Sequence, residues 1–334
     1  MRRVLWWLLV MGALWSAWWA AASVGVQTAM YGWLDTRRDA GWQAEVDEIA
    51  LSGFPARLHS RVTNVALAAP VSGAALTAPV VDLSAPAWWP GYVDLRLSGF
   101  TLDLPGRFGN VTLTAADTSA DLRLHPGAAL EMQSLQGAAA SAQVAGPEGD
   151  WLDVQGLAFS VHQDAVTPAL YHISLTPERV TPGAELRKAL ALDGEWPPAF
   201  SQVSADIDIL LDRPIDRHVA SGITPLPREI NLSGIEMAWG KVALTATGAL
   251  RVDAAGVMQG HVTLKVTHWP ILLEMTKRLG VLVGPAESTV EPVLRALANR
   301  GDDPDNLDLD LVFDGGMMTL AGIPLGAAPR LIPR

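Results

Sequence analysis

Residues 4–34 carry no charged side chain, and the two residues after Met1 are Arg2 and Arg3. At 1.5 Å rise per residue, about 20 apolar residues in a helix cross a hydrocarbon layer of about 30 Å. The core of the run, VLWWLLVMGALWSAWWAAASVGV, is long enough for that. Whatever the remainder folds into is therefore expected to fold beside a membrane.

The run has two readings. A cleaved secretory signal has a short apolar core and a small-residue site, for which Ala20-Ala21-Ala22 would serve. This core is longer than such signals use, and it holds Trp6, Trp7, Trp15, Trp18 and Trp19, so an uncleaved signal-anchor over 1–27 is expected. Arg2, Arg3, Trp6, Trp7, Trp18 and Trp19 are its expected anchor residues, because Trp favours the headgroup level and Arg the cytoplasmic side. The two Trp pairs lie only about 18 Å apart along a helix, which places the expected outer boundary nearer Tyr31 and Trp33. A juxtamembrane helix over 28–41 follows, with Ala29, Trp33 and Leu34 at helical spacing and Gly41 as its terminator. A single pass with the N-terminus cytoplasmic and the bulk of the chain periplasmic, in a bacterial inner membrane, is the expected location.

Past Trp42 the period changes from 3.6 to 2. WQAEVDEIALSGFPARLHSRVTNVAL alternates around Gly53 and Pro55 and predicts a hairpin. YVDLRLSGFTLDL, GNVTLTAADTSADLRL, ALEMQSLQGAAASAQV and WLDVQGLAFSVHQD repeat the pattern, which predicts a first antiparallel sheet region over 42–175. Pro177, Pro182, Pro197 and Pro198 surround a helical piece at 184–192, so 176–200 is expected to be a Pro-rich connector. A second sheet region over 201–334 includes QVSADIDILLD, REINLSGIEMAWG, KVALTATGALRVDA and GVMQGHVTLKVTHW. A helical hairpin near 268–300 is predicted from Pro270 with Ile271, Leu272, Met275 and Leu279, then from a capping box at Ser288 and Glu291 running to Gly301. LDLDLVFDGG and MMTLAGIPLG close the chain as two strands joined at Asp314-Gly315-Gly316. The fold class is thus mainly β: a transmembrane helix, then curved antiparallel sheet with a few short helices.

Function is constrained mostly by exclusion. A net charge of −11 over 334 residues, with Lys and Arg scattered, offers no basic footprint for nucleic acid. The chain has no cysteine, hence no disulfide, thiol nucleophile or Cys-ligated metal. No Walker loop, Gly-x-Gly-x-x-Gly, Gly-x-Ser-x-Gly or His-Glu-x-x-His sequence occurs. His162 and Asp164 fit a solvated strand end better than a metal or base pair. Asp206 and Asp208, like Asp308 and Asp310, alternate with apolar residues and fit the wet face of a strand. Asp302, Asp303 and Asp305 fit a polar turn, since the regular ligand spacing and terminal Glu of a calcium loop are missing. No catalytic residue, metal or cofactor is expected, and the chain is read as not an enzyme.

Gly41-Trp42-x-Ala44-Glu45 followed by Leu51-Ser52-Gly53-Phe54-Pro55-x-Arg57-Leu58, with Ile323-Pro324-Leu325-Gly326 and Ala328-Pro329-Arg330-Leu331 at the close, resembles the bacterial domain-of-unknown-function family 2125. The resemblance implies a single-anchor envelope protein and supplies no catalytic residues. The anchor followed by strand-turn-strand units such as 244–252 and 261–266 is distantly similar to the AsmA-like envelope proteins, which implies a curved sheet with an apolar groove. Trp88, Trp89, Trp151, Trp239 and Trp269 are the candidate groove residues, set against ordinary core packing. The expected function is binding or transfer of lipid acyl chains along an apolar sheet in envelope maintenance. The alternative is an adaptor or scaffold that holds another envelope protein at a sheet edge. Expected partners are the bilayer, lipid and another envelope protein, and no nucleic acid.

Overall fold

The computed structural model describes residues 2–106, 109–191, 196–280, 285–300, 303–320, 322–328 and 330–331. The fold class is the expected one: mainly β and antiparallel, with one long apolar N-terminal helix and a few short helices. The chain divides into two units, Met1–Pro147 and Glu148–Arg334.

The first unit begins with α1 (Arg2–Asp39), one helix that carries the anchor segment straight into the juxtamembrane helix expected to end near Gly41. Its end is where Gly41 places it. Gly41 adopts φ 83°, its N–H donates to the Arg38 carbonyl (2.9 Å), and the Trp42 N–H donates to Arg37 (3.0 Å). These are the two bonds of a left-handed helix terminator, which a residue with a Cβ adopts at a cost. The strands are β1 (Gln43–Glu45), β2 (Glu48–Ser52), β3 (Arg57–Ala68), β4 (Ala75–Pro86), β5 (Tyr92–Gly106), β6 (Gly109–Leu124) and β7 (Met132–Gly146). β1 and β2 share one edge of β3, and β3 to β7 pair in chain order.

β4 departs from expectation, because its prolines hide a strand in the sequence. A proline cannot donate to a ladder, so it belongs where the ladder is already interrupted. Pro79 sits at such a point: the register passes from Thr63↔Val80 to Val65↔Ala78, and Asn64, left between them, takes φ 50°. The same interruption recurs on β6, where Asp117 (φ 47°) lies between Ala116↔Ser141 and Thr118↔Ala139.

The second unit holds β8 (Gly149–Gln163), β9 (Leu170–Thr176), β10 (Arg179–Pro182), α2 (Ala184–Ala189), β11 (Gln202–Leu211), β12 (Pro227–Trp239), β13 (Val242–Val252), β14 (Met258–Thr267), α3 (Trp269–Arg278), α4 (Pro285–Ala298), β15 (Asn306–Asp314), β16 (Met317–Leu320) and β17 (Ile323–Ala327). β9 and β10 lie along one edge of β8, and β9 then leads through β11 to β17 by antiparallel pairs in chain order. Much of 176–200 is therefore ordered structure: the Glu178 N–H reaches the Gln155 and Gly156 carbonyls as a bulge between β9 and β10, and α2 follows. Residue 192, the expected end of that helical piece, lies outside the described residues.

Three local expectations are corrected in this unit. MMTLAGIPLG is two strands rather than one, because Met317↔Ala327 and Leu320↔Ile323 pair across a turn at Gly322 (φ 83°). α4 starts at Pro285, which puts Ser288 inside the helix instead of at its cap, while Gly301 lies outside the described residues. α3 starts with proline in its first turn as expected, but it buries Trp269, Leu273 and Met275 and leaves Leu279 39% exposed. Trp269, Leu273, Val290, Leu294 and Ala298 close over Val266, Leu307 and Leu309 in one core. The Asp314-Gly315-Gly316 turn forms where the sequence places it, with Gly315 and Gly316 at positive φ.

Candidate functional site

The middle strands of the first unit have two chemically opposite faces, as period-2 alternation requires. On one face Val62, Val81, Leu83, Leu95 and Leu97 project toward α1. The helix lies over them with Val26, Ala29, Met30, Trp33 and Leu34. Together with Ile49, Leu67, Leu76 and Ala78 these side chains enclose an open cavity of about 560 Å³ whose whole lining is apolar. Such a volume is in the range of small-molecule and cofactor pockets. Packing is tight at one part of this interface, where Leu34, Ala44, Ile49 and Val62 are buried together, and loose beside it.

α1 reaches the sheet along one side of the helix. Trp15 Nε1 donates to the Pro55 carbonyl (2.9 Å), Trp18 Nε1 to Ala87 (3.4 Å), Trp19 Nε1 to Arg57 (2.9 Å), and Gln27 Nε2 to Ile49 (3.3 Å). Trp33 packs against the Leu34–Ile49 cluster and lies under the Arg37 guanidinium, 5.3 Å from its ring centre. It therefore serves the helix–sheet contact.

The opposite face is charged. Arg57 donates to Asp94 (2.5 Å) and Ser84 (2.7 Å), Arg61 makes a two-pronged contact with Asp82 (2.8 and 3.0 Å), and His59 lies 3.1 Å from Asp82 and from Ser52. Arg123 adds a second cation to Asp94 (3.2 Å), which faces Asp121 across the ladder. The Arg61 hydrogen bonds hold the Asp82 carboxyl below the usual carboxylate range against the opposing effect of burial. Burial pushes Asp94 up, but its bonds to Arg57 and Arg123 win and its pKa is also lowered. The cluster satisfies itself by ion pairing and lines a polar depression with Arg96.

None of the five tryptophans expected in a groove lines the apolar cavity. Trp239 is buried (3% exposed) against Trp196 and Phe200, and Trp269 is buried in the helical-hairpin core with its Nε1 on the Pro304 carbonyl. Trp151 is half-buried on β8, Trp89 is half-buried before β5, and Trp88 is 66% exposed. The cavity wall on β4 was missed along with its strand, although Val81, Leu83 and Ala85 keep the alternation that would have shown it. Of the polar candidates, His172 unites two acidic positions that sequence reasoning kept apart: it lies 2.7 Å from Asp208 and 3.4 Å from Asp164. Asp303 caps its own turn by accepting from the Asp305 N–H and the Asn306 amide, while Asp302 lies outside the described residues. Among the described residues no group of three or more His, Asp or Glu side chains is placed to hold a metal.

A family model described as an uncharacterized protein conserved in bacteria (DUF2125) matches residues 18–329. No curated protein and no solved structure matches the chain.

Proposed function

We propose, from the premise that the chain belongs to this bacterial DUF2125 family, that it is an envelope protein whose membrane-anchored first unit binds lipid acyl chains. α1 is long and apolar enough to cross a membrane. With Arg2 and Arg3 on the cytoplasmic side of the inner membrane, the sheet units stand in the periplasm. The observation that carries the reading is the all-apolar cavity, one wall of which is the anchoring helix itself. An acyl chain leaving the bilayer beside α1 would exchange one apolar surrounding for another, at little hydrophobic cost. The role is binding or transfer rather than catalysis, since a lining of Leu, Val, Ala, Ile, Met and Trp offers no group to move a proton or attack a bond.

Native mass spectrometry of the detergent-extracted full chain tests this. Phospholipid retained by the wild type and lost on Ala29→Trp, which fills the cavity from the exposed helix side, is the expected result. A folded wild-type protein that carries no lipid under conditions where other envelope lipid binders do would overturn it.

A further inference from the structure

The bonds between α1 and the first unit also fix how deep that unit sits. If the hydrocarbon layer begins at Val4, the first uncharged residue, about 20 helical residues are needed to cross about 30 Å, which takes the layer to Ser23. Only about 18 Å of helix separates Arg3 from Trp15, where contact with the sheet begins. Tilt would shorten the vertical reach further. The helix cannot cross a full bilayer and leave the sheet in water.

We infer that the first unit docks onto the bilayer through its β2–β3 and β4–β5 turns, which enter the outer leaflet beside Trp15, Trp18 and Trp19. This rests on the anchor reading above. Two independent features support it. The tips of these turns carry Phe54 (55% exposed) and Trp88 (66% exposed), large apolar side chains that water disfavours and an interface accepts. Phe54 packs edge-on to Trp19 at 5.5 Å, so the turn and the helix present one aromatic surface. The second feature is the fate of the turn carbonyls. Those of Pro55, Arg57 and Ala87 each accept an indole N–H from α1, as backbone must when it approaches a layer that supplies little water. Trp15–Trp19 with Phe54 and Trp88 therefore form one aromatic surface within the outer leaflet, on the membrane side of Tyr31 and Trp33.

The absence of cysteine makes the test clean, since single-cysteine variants can carry a nitroxide label in the full chain. Leu9→Cys, Phe54→Cys, Trp88→Cys and Val71→Cys all lie at exposed positions. Val71 follows β3, whose length puts it about 40 Å from the Phe54 turn. In vesicles of phosphatidylethanolamine and phosphatidylglycerol, collisions with oxygen and with a water-soluble nickel chelate report depth. Expected are a label at 9 deep in hydrocarbon, labels at 54 and 88 within the outer leaflet and shielded from the chelate, and a label at 71 in water. Labels at 54 and 88 as open to the chelate as the one at 71, with 9 still deep, would overturn the docking and leave the anchor standing. A water-exposed label at 9 would overturn both.

Discussion

Helix covers sheet twice in this protein, with different results. In the second unit α3 and α4 bring Trp269, Leu273, Val290 and Leu294 down onto β14 and β15, and what stays open is a smaller cavity of about 240 Å³ with charged residues in its lining. In the first unit α1 brings Ser23, Val26, Ala29 and Met30 toward strands of comparable apolar character, and a cavity of about 560 Å³ stays open. The sheets differ less than the helices do. A soluble amphipathic helix is selected to fill the hole beneath it, whereas α1 carries apolar residues all round and is not required to place its bulk on the sheet side. An apolar face left partly uncovered beside a membrane helix marks a place where something other than the protein can complete the packing.

The comparison breaks first, and most severely, at Trp269. Trp269→Ala should destabilise the second unit by about 3–5 kcal/mol, because it empties a packed core and orphans the Pro304 carbonyl. Leu83→Ala in the first unit should cost less, at or below the low end of about 2 kcal/mol for a Leu truncation, because Leu83 already borders open space. Urea unfolding of each variant in the same detergent measures both. Equal losses would mean that the cavity is in effect packed and that the two coverings are alike.

Much of this contrast was legible in the sequence, and the part that was not has a physical cause. Alternation announces which face of β5 is apolar, because Leu95 and Leu97 interleave with Asp94 and Arg96. It failed on β4 because Pro79 reads as a breaker until its partner strand supplies an interruption at Asn64. Helix ends were readable from Gly41 and Pro270, whose backbone chemistry is local. The site was less readable. Tryptophan marks apolar demand without saying whether protein or ligand meets it, and here Trp239 and Trp269 meet it with protein. The cavity depends on which residues of α1 face the sheet, and an all-apolar helix does not reveal that in its own pattern.

The charged faces sharpen the comparison through pH, with smaller effects of opposite sign. In the first unit Asp82 has a lowered pKa in the folded state, because Arg61 bonds its ionised form. Its contribution to stability is full above the ordinary carboxylate pKa and is lost as pH falls through the lower folded value. Asp82→Asn should therefore flatten the acid limb of the stability curve.

In the second unit His172 has a raised pKa, chiefly from its bond to Asp208 and then from Asp164. Its contribution is full below the ordinary histidine pKa of about 6.5 and is lost as pH rises through the higher folded value. Both carboxylates and the ring are partly open to water, so the change in stability should be the smallest of those predicted here. The titration itself is the better reading. Asp208→Asn should move the His172 imidazole resonance to a lower midpoint, while leaving the Asp82-dependent acid limb where it was. A His172 midpoint that does not move would show that the ring is not held by Asp208.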